Sequence, residues 1–263
     1  LNFEPLFASR DDAQRKAYDD NVFYMTGIVS AEGGPGLAQR LHDLEAILSL
    51  IERRNVVIRG SYNDRDLLLK HCPAEFTKER RPNGGGKLLI DDTFGPNSRS
   101  RFIQMAVDFV SSPTTGTLAF KQCLHKSAWC YSMPVPFVDV TYYLLFSGLE
   151  ALARETENDF EPNAARPVAR FLVRQGFDVA QDDFSDELRS ITNYCHVRNA
   201  LFHNGHFEKK ISNNGAAKTL KPIPFYGRLN SLVPLSIVKH IGFDDGYINW
   251  NRWRDRIPFK SPN

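Results

Sequence analysis

Apolar positions recur at three- and four-residue intervals through most of this chain, the spacing of one buried helix face. Leu37, Leu41, Leu44, Leu48 and Ile51 predict an amphipathic helix ending near Glu52-Arg53-Arg54. Residues 64–72, DRDLLLKHC, read as a short helix stopped by Pro73. Two further helical patterns lie between 98 and 132, one on Phe102, Met105, Ala106 and Phe109 and one over 118–129. The loop signal SSPTTG divides them. Beyond MPVPF (133–137) a long helix carries Tyr142, Leu145, Phe146, Leu149, Leu152 and Ala153 on one side. A shorter helix follows, with Pro167 in its first turn and Gly176 as its stop. A third starts with Ser185 as N-cap, has Asp186 and Glu187 against its dipole, and runs to Phe202 or His203 before the Asn204-Gly205 exit.

Strand patterns are fewer. NVFYMTGIVS (21–30) has β-branched and aromatic content, and NVVIRG (55–60) reads as a short strand. Residues 213–227 read mostly as loop, 231–241 as an apolar segment, and 247–259 as an aromatic and basic end. The paired prolines of MPVPF mark the expected division. It separates a mixed α/β or helical region over 1–132 from a helical bundle with a C-terminal extension over 133–263. The expected fold class is mainly α.

Composition changes this picture little. A chain of 263 residues, 42% hydrophobic and with 19 Phe, can build one large core or two smaller ones. A net charge of +2 does not by itself announce a nucleic-acid binder, so any basic surface must come from local clustering. Cys72, Cys123, Cys130 and Cys195 are scattered without a CxxC pair and read as reduced, mostly buried thiols. No apolar run approaches the roughly 18 residues a membrane span needs. No basic-then-apolar leader is legible, and the cytoplasm is the expected location.

The third helix of the 133–263 region holds the candidate chemistry. Leu188, Ile191, Cys195 and Phe202 fall on one side of a helical wheel and form its expected buried stripe. Arg198 and Asn199 flank the centre of that stripe, and His196 and His203 lie at its edge beside Asn199. An arginine turned toward a core is costly unless paired. Either it meets a carboxylate such as Glu150 and pins two helices, or the helix faces a cleft or second subunit where Arg198 meets an anion. Guanidinium suits phosphate because it is planar, always charged and able to hold two oxygens. A nearby histidine supplies acid or base.

The stretch RNALFH, Arg198 to His203, resembles the Arg-x4–6-His motif of HEPN domains, in the form with asparagine after the arginine. The preceding YYLLFSGLEALA helix and the HNG exit are similar to the HEPN layout, and within that group the look is nearest to ApeA-like proteins. The resemblance covers about 138–207. It implies a helical bundle that homodimerises with motif helices facing across a cleft. It also implies a metal-independent endoribonuclease of toxin or phage-defence type, using no cofactor. On that resemblance Arg198 would hold the scissile phosphate of an RNA substrate, His203 would transfer protons, and Asn199 would orient His203 or touch the phosphate. Glu150, His196 and His206 would support them. The 1–132 region would sense a trigger or restrain activity, its ligand or partner unknown. The alternative is a non-catalytic HEPN module for dimerisation or for binding nucleotide or RNA.

Other constellations are weaker. Cys195, His196, His203 and His206 could be drawn as a metal set, but Cys195 and His196 leave the helix in different directions. NGGGK fails the P-loop spacing, and SGLE lacks a nucleophile elbow. KERRPNGGGK (78–87), SRSR (98–101) and NWNRWRDR (249–256) are possible RNA contacts, with Trp250 or Trp253 stacking on a base.

Overall fold

The computed structural model describes residues 2–6, 9, 11–12, 22–59, 62–71, 75–79, 88, 97–114, 116–133, 137–213, 216–257 and 259. The chain is mainly helical. It divides into two compact units, one of residues 1–42 and 57–82, the other of 43–56 and 83–263.

In the first unit, strands β1 (Asn2–Pro5) and β3 (Gly27–Ser30) pair antiparallel, as do β2 (Val22–Tyr24) and β4 (Glu75–Glu79). The expected single strand over 21–30 is therefore two, paired with different partners. A short helix lies at Arg65–His71, and Arg65 Nε donates to Glu4 at 2.9 Å. Residues 55–59 form no strand, and Val56 exchanges hydrogen bonds with the Ser49 hydroxyl (3.0 and 3.3 Å), so the strand expected from NVVIRG is not formed over its described residues. Cys72 and most of KERRPNGGGK lie outside the described residues.

Helix α1 (Leu37–Glu52) begins in the first unit and ends in the second. The second unit continues with α2 (Ser98–Ser111), α3 (Thr117–Ser132), α4 (Val138–Glu157), α5 (Ala165–Arg174), α6 (Ile191–Asn204), α7 (Pro222–His240) and α8 (Arg252–Asp255). A hairpin of β5 (Lys209–Asn213) and β6 (Ala216–Leu220) joins α6 to α7, where the polar composition suggests loop. Asn214 and Gly215 between the strands lie outside the described residues.

Helix α4 is the centre of the bundle and packs on α3, α5, α6 and α7. Its buried Thr141, Tyr142, Leu145, Phe146, Leu149, Leu152 and Ala153 recur at helical spacing. Gly148 lets α3 come close: a Cβ there would lie 3.1 Å from the Cys123 Cα. This packing places α3 inside the bundle, so the division expected at 132/133 does not separate compact units. The boundary MPVPF suggested is a connector between two packed helices. Helix α4 ends at Asn158, whose left-handed φ of 48° lets its N–H reach the carbonyls of Arg154 and Glu155. Asp159, next in line, accepts from Arg166 (2.8 and 2.7 Å) and Arg170 (2.7 Å) and fixes the turn into α5.

Cys123 and Cys130 are buried free thiols, each pushed up to about 12 by burial. No described helix is long and apolar enough to cross a membrane.

Candidate functional site

Helix α6 begins five residues later than its sequence predicts, after Ser190 rather than Ser185. Asp183 Oδ1 accepts from the Ser185 N–H (2.9 Å), the Ser185 hydroxyl (2.6 Å) and the Asp186 N–H (3.0 Å). Arg189 then bridges Asp183 and Asp178, both at 2.6 Å. Backbone bonds between 180–181 and 189–192 close the segment. Residues 185–190 are thus committed to a turn, and Ser190 rather than Ser185 precedes the helix. Asp186 and Glu187 do not sit in the first helical turn, and Glu187 pairs with Lys218 at 3.0 Å.

The buried stripe also differs from the expected one. It is Ile191, Tyr194, Val197, Ala200 and Leu201. Of the predicted stripe, Leu188 lies off the helix, Cys195 is half-buried and Phe202 is 47% exposed. Tyr142 Oη donates to the Tyr194 carbonyl at 2.9 Å, and Tyr194 stacks edge-on against Phe225 at 5.0 Å. These contacts tie α6 to α4 and to Phe225 near the start of α7.

Arg198 stands at the edge of the stripe and turns toward α4. Its guanidinium lies over the Phe146 ring, 5.5 Å from the centroid, and its Nη2 is 3.6 Å from Glu150 Oε2. That separation is an ion pair without a good hydrogen bond. Glu150 is committed elsewhere, since Arg154 Nε donates to its Oε1 at 2.9 Å. Arg198 Nε is buried with no hydrogen-bond partner. The arginine is therefore aligned by stacking and charge yet keeps an unused donor. Cys195 beside it is pushed up to about 12 by burial, so its thiol stays protonated.

The other predicted residues face outward. Asn199, His203 and His206 are exposed, so the inward Arg198–Asn199 pair expected from the wheel reduces to Arg198 alone. Asn199 and His203, four apart, share the outer face. His203 is five positions beyond Arg198, roughly 7.5 Å along the axis and about 140° around it. Among the described residues no hydrogen bond or ion pair joins Arg198 to His203. His196 is half-buried, and desolvation, aided by the Lys209 charge and opposed by Asp182, pulls its pKa below the ordinary histidine value. Among the described residues no three His, Cys, Asp or Glu side chains gather to hold a metal ion.

Two neighbouring features were not singled out from sequence. Phe202 stacks on Tyr143 of α4 with centroids 3.8 Å apart, forming a partly exposed aromatic ledge beside the Arg198 contact. An open groove of ≈ 310 Å³, lined by Ala200, His206, Glu208, Lys209 and Lys210, lies at the C-terminal end of α6. The lysine pair immediately after the helix exit was its sequence signal.

Of the other basic stretches, the described side chains of SRSR and NWNRWRDR serve packing. Trp253 and Arg252 are buried, so Trp253 is no base-stacking platform, and Trp250 is engaged by Lys239 (4.6 Å) and Asp244 (3.1 Å). Arg99 pairs with Glu52, and Arg101 lies 5.5 Å over Phe243. No family model, curated protein or solved structure matches the chain.

Proposed function

We propose that the chain is a HEPN-type endoribonuclease, an effector of the toxin or phage-defence kind acting in the cytoplasm as a homodimer. The observation carrying the reading is Arg198: a half-buried guanidinium stacked on Phe146, loosely paired and holding an unused donor. Its Nε is buried, so an RNA phosphate would meet the part-exposed edge of the guanidinium, whose planar and permanent charge suits phosphate oxygens. His203 and Asn199, exposed on the same helix, supply the proton carrier and its orienting partner.

In this reaction the ribose 2′-hydroxyl of RNA attacks the adjacent phosphorus. The O2′–P bond forms as the P–O5′ bond breaks, leaving a 2′,3′-cyclic phosphate and a 5′-hydroxyl. Arg198 neutralises the charge building on the non-bridging oxygens. A histidine takes the 2′-proton and another protonates the departing O5′. Arg198 and His203 of one helix diverge by about 140°, so a two-fold pairing of α6 helices supplies converging groups from both copies.

One observation favours a second reading. The Arg198–Glu150 contact is what a structural salt bridge between α4 and α6 requires, and it suits a non-catalytic dimerisation or RNA-binding module. End-group analysis separates the two. RNA incubated with the protein in EDTA should yield 2′,3′-cyclic phosphate and 5′-hydroxyl ends. Intact RNA that is nevertheless bound by a dimer supports the module.

A further inference from the structure

We infer that the groove at the end of α6, with the base of the β5–β6 hairpin, is a binding track for single-stranded RNA leading away from the His203 face. The inference rests on the proposed ribonuclease reading for what arrives at that face, but its observations are separate ones.

The groove is built on a fixed base. The His206 N–H donates to the Ala200 carbonyl at 2.9 Å and folds the exit back on the helix. Lys209 pairs in register with Leu220, which is buried, and Lys218 of the opposite strand holds Glu187 at 3.0 Å. The hairpin is therefore anchored at its base, and Lys209 and Lys210 leave it at set positions. Among the described residues neither lysine makes an ion pair, while Lys218 does. Glu208 is the one carboxylate on the groove wall, against two lysines and His206.

Aromatic surface is close in sequence: Phe207, between the groove residues His206 and Glu208, is 60% exposed, and Phe202 rests on Tyr143 in the last turn of α6. Cations that follow a backbone, with rings on which unpaired bases stack, are how proteins hold single strands without base readout. The groove's lysines and His206 suit a phosphate backbone, and a duplex offers no free base faces to Phe207.

The test is fluorescence anisotropy with a labelled 12-nucleotide single-stranded RNA. Arg198→Ala serves as background so that cleavage does not intervene. Adding Lys209→Glu and Lys210→Glu should weaken binding about tenfold or more at low salt. The paired Gln variants should lower the slope of log K against log salt by about 1.4, the release expected for two single-strand phosphate contacts. Melting temperatures should not change, because both side chains project from the hairpin. A duplex of the same length should bind more weakly. Unchanged affinity and salt slope in both lysine pairs would overturn the track. If the native chain still cleaves RNA, the ribonuclease reading survives that result. Lysine-dependent binding by a chain that cleaves nothing would keep the track and remove the ribonuclease.

Discussion

Arg198 sits between two demands, and its contacts give their relative weight. Stacking on Phe146 and attraction to Glu150 hold the guanidinium in place, yet Glu150 gives its better hydrogen bond to Arg154. Both members of the pair are partly screened, so Arg198→Ala should cost only about 1–2 kcal/mol in urea unfolding, less than a sealed pair. Arg198→Lys should restore charge but not the planar stack, recovering stability in part and little cleavage. His203 is exposed, so His203→Ala should change stability by no more than about 0.5 kcal/mol while lowering cleavage at least about a hundredfold. A fall in both quantities together would mean that His203 serves the fold. At this scale the arginine was legible from sequence because an inward cation needs an explanation. The outward turn of Asn199 was not, because half-buried Cys195 and exposed Phe202 were read as the stripe in place of Tyr194, Val197 and Leu201.

The late start of α6 belongs to the elements. Ser185-Asp186-Glu187 has the composition of a helix start, but Asp183 captures Ser185 and Asp186 first and Arg189 locks the result. Local capping signals compete, and a sequence shows the competitors without the winner. These bonds, led by the Ser185 hydroxyl, hold the Asp183 carboxyl down to about 2 from an ordinary 3.8. A carboxylate lowered on folding adds stability that is complete above pH 3.8 and is lost as pH falls toward 2. Asp183→Asn, which imitates the protonated acid, should therefore melt below the native chain at pH 7. The gap should close between pH 4 and 2. A gap independent of pH would mean that shape rather than charge holds the turn. On α4, Gly148 marks the close approach to Cys123. Replacing it with leucine should cost about 1–3 kcal/mol by overpacking, read as an earlier urea midpoint. The long helices were legible because their apolar stripes repeat for several turns. The β5–β6 hairpin was not, since Lys209, Lys210 and Ser212 give little of the apolar alternation that betrays a strand.

For the whole molecule, the helical bundle was legible from sequence and its extent was not. The prolines of MPVPF suggested a domain limit, whereas α3 and α4 on either side pack through Gly148 into one unit. A proline pair reports local backbone constraint, which is not by itself a domain limit. The proposal asks this unit to dimerise through the α6 face. In solution the chain should have a mass near twice 29.9 kDa, and Phe202→Glu, placing charge on the exposed ledge, should shift it toward the monomer and lower cleavage with it. The measurement that bears most directly on the account is cleavage of a mixed RNA panel in EDTA by the native chain, Arg198→Ala and His203→Ala, all three first shown to be folded. The account predicts cyclic-phosphate products from the native chain and none from either variant. Cleavage retained by both variants, or a native dimer that leaves every RNA intact, would contradict it and leave Arg198 as a brace between two helices.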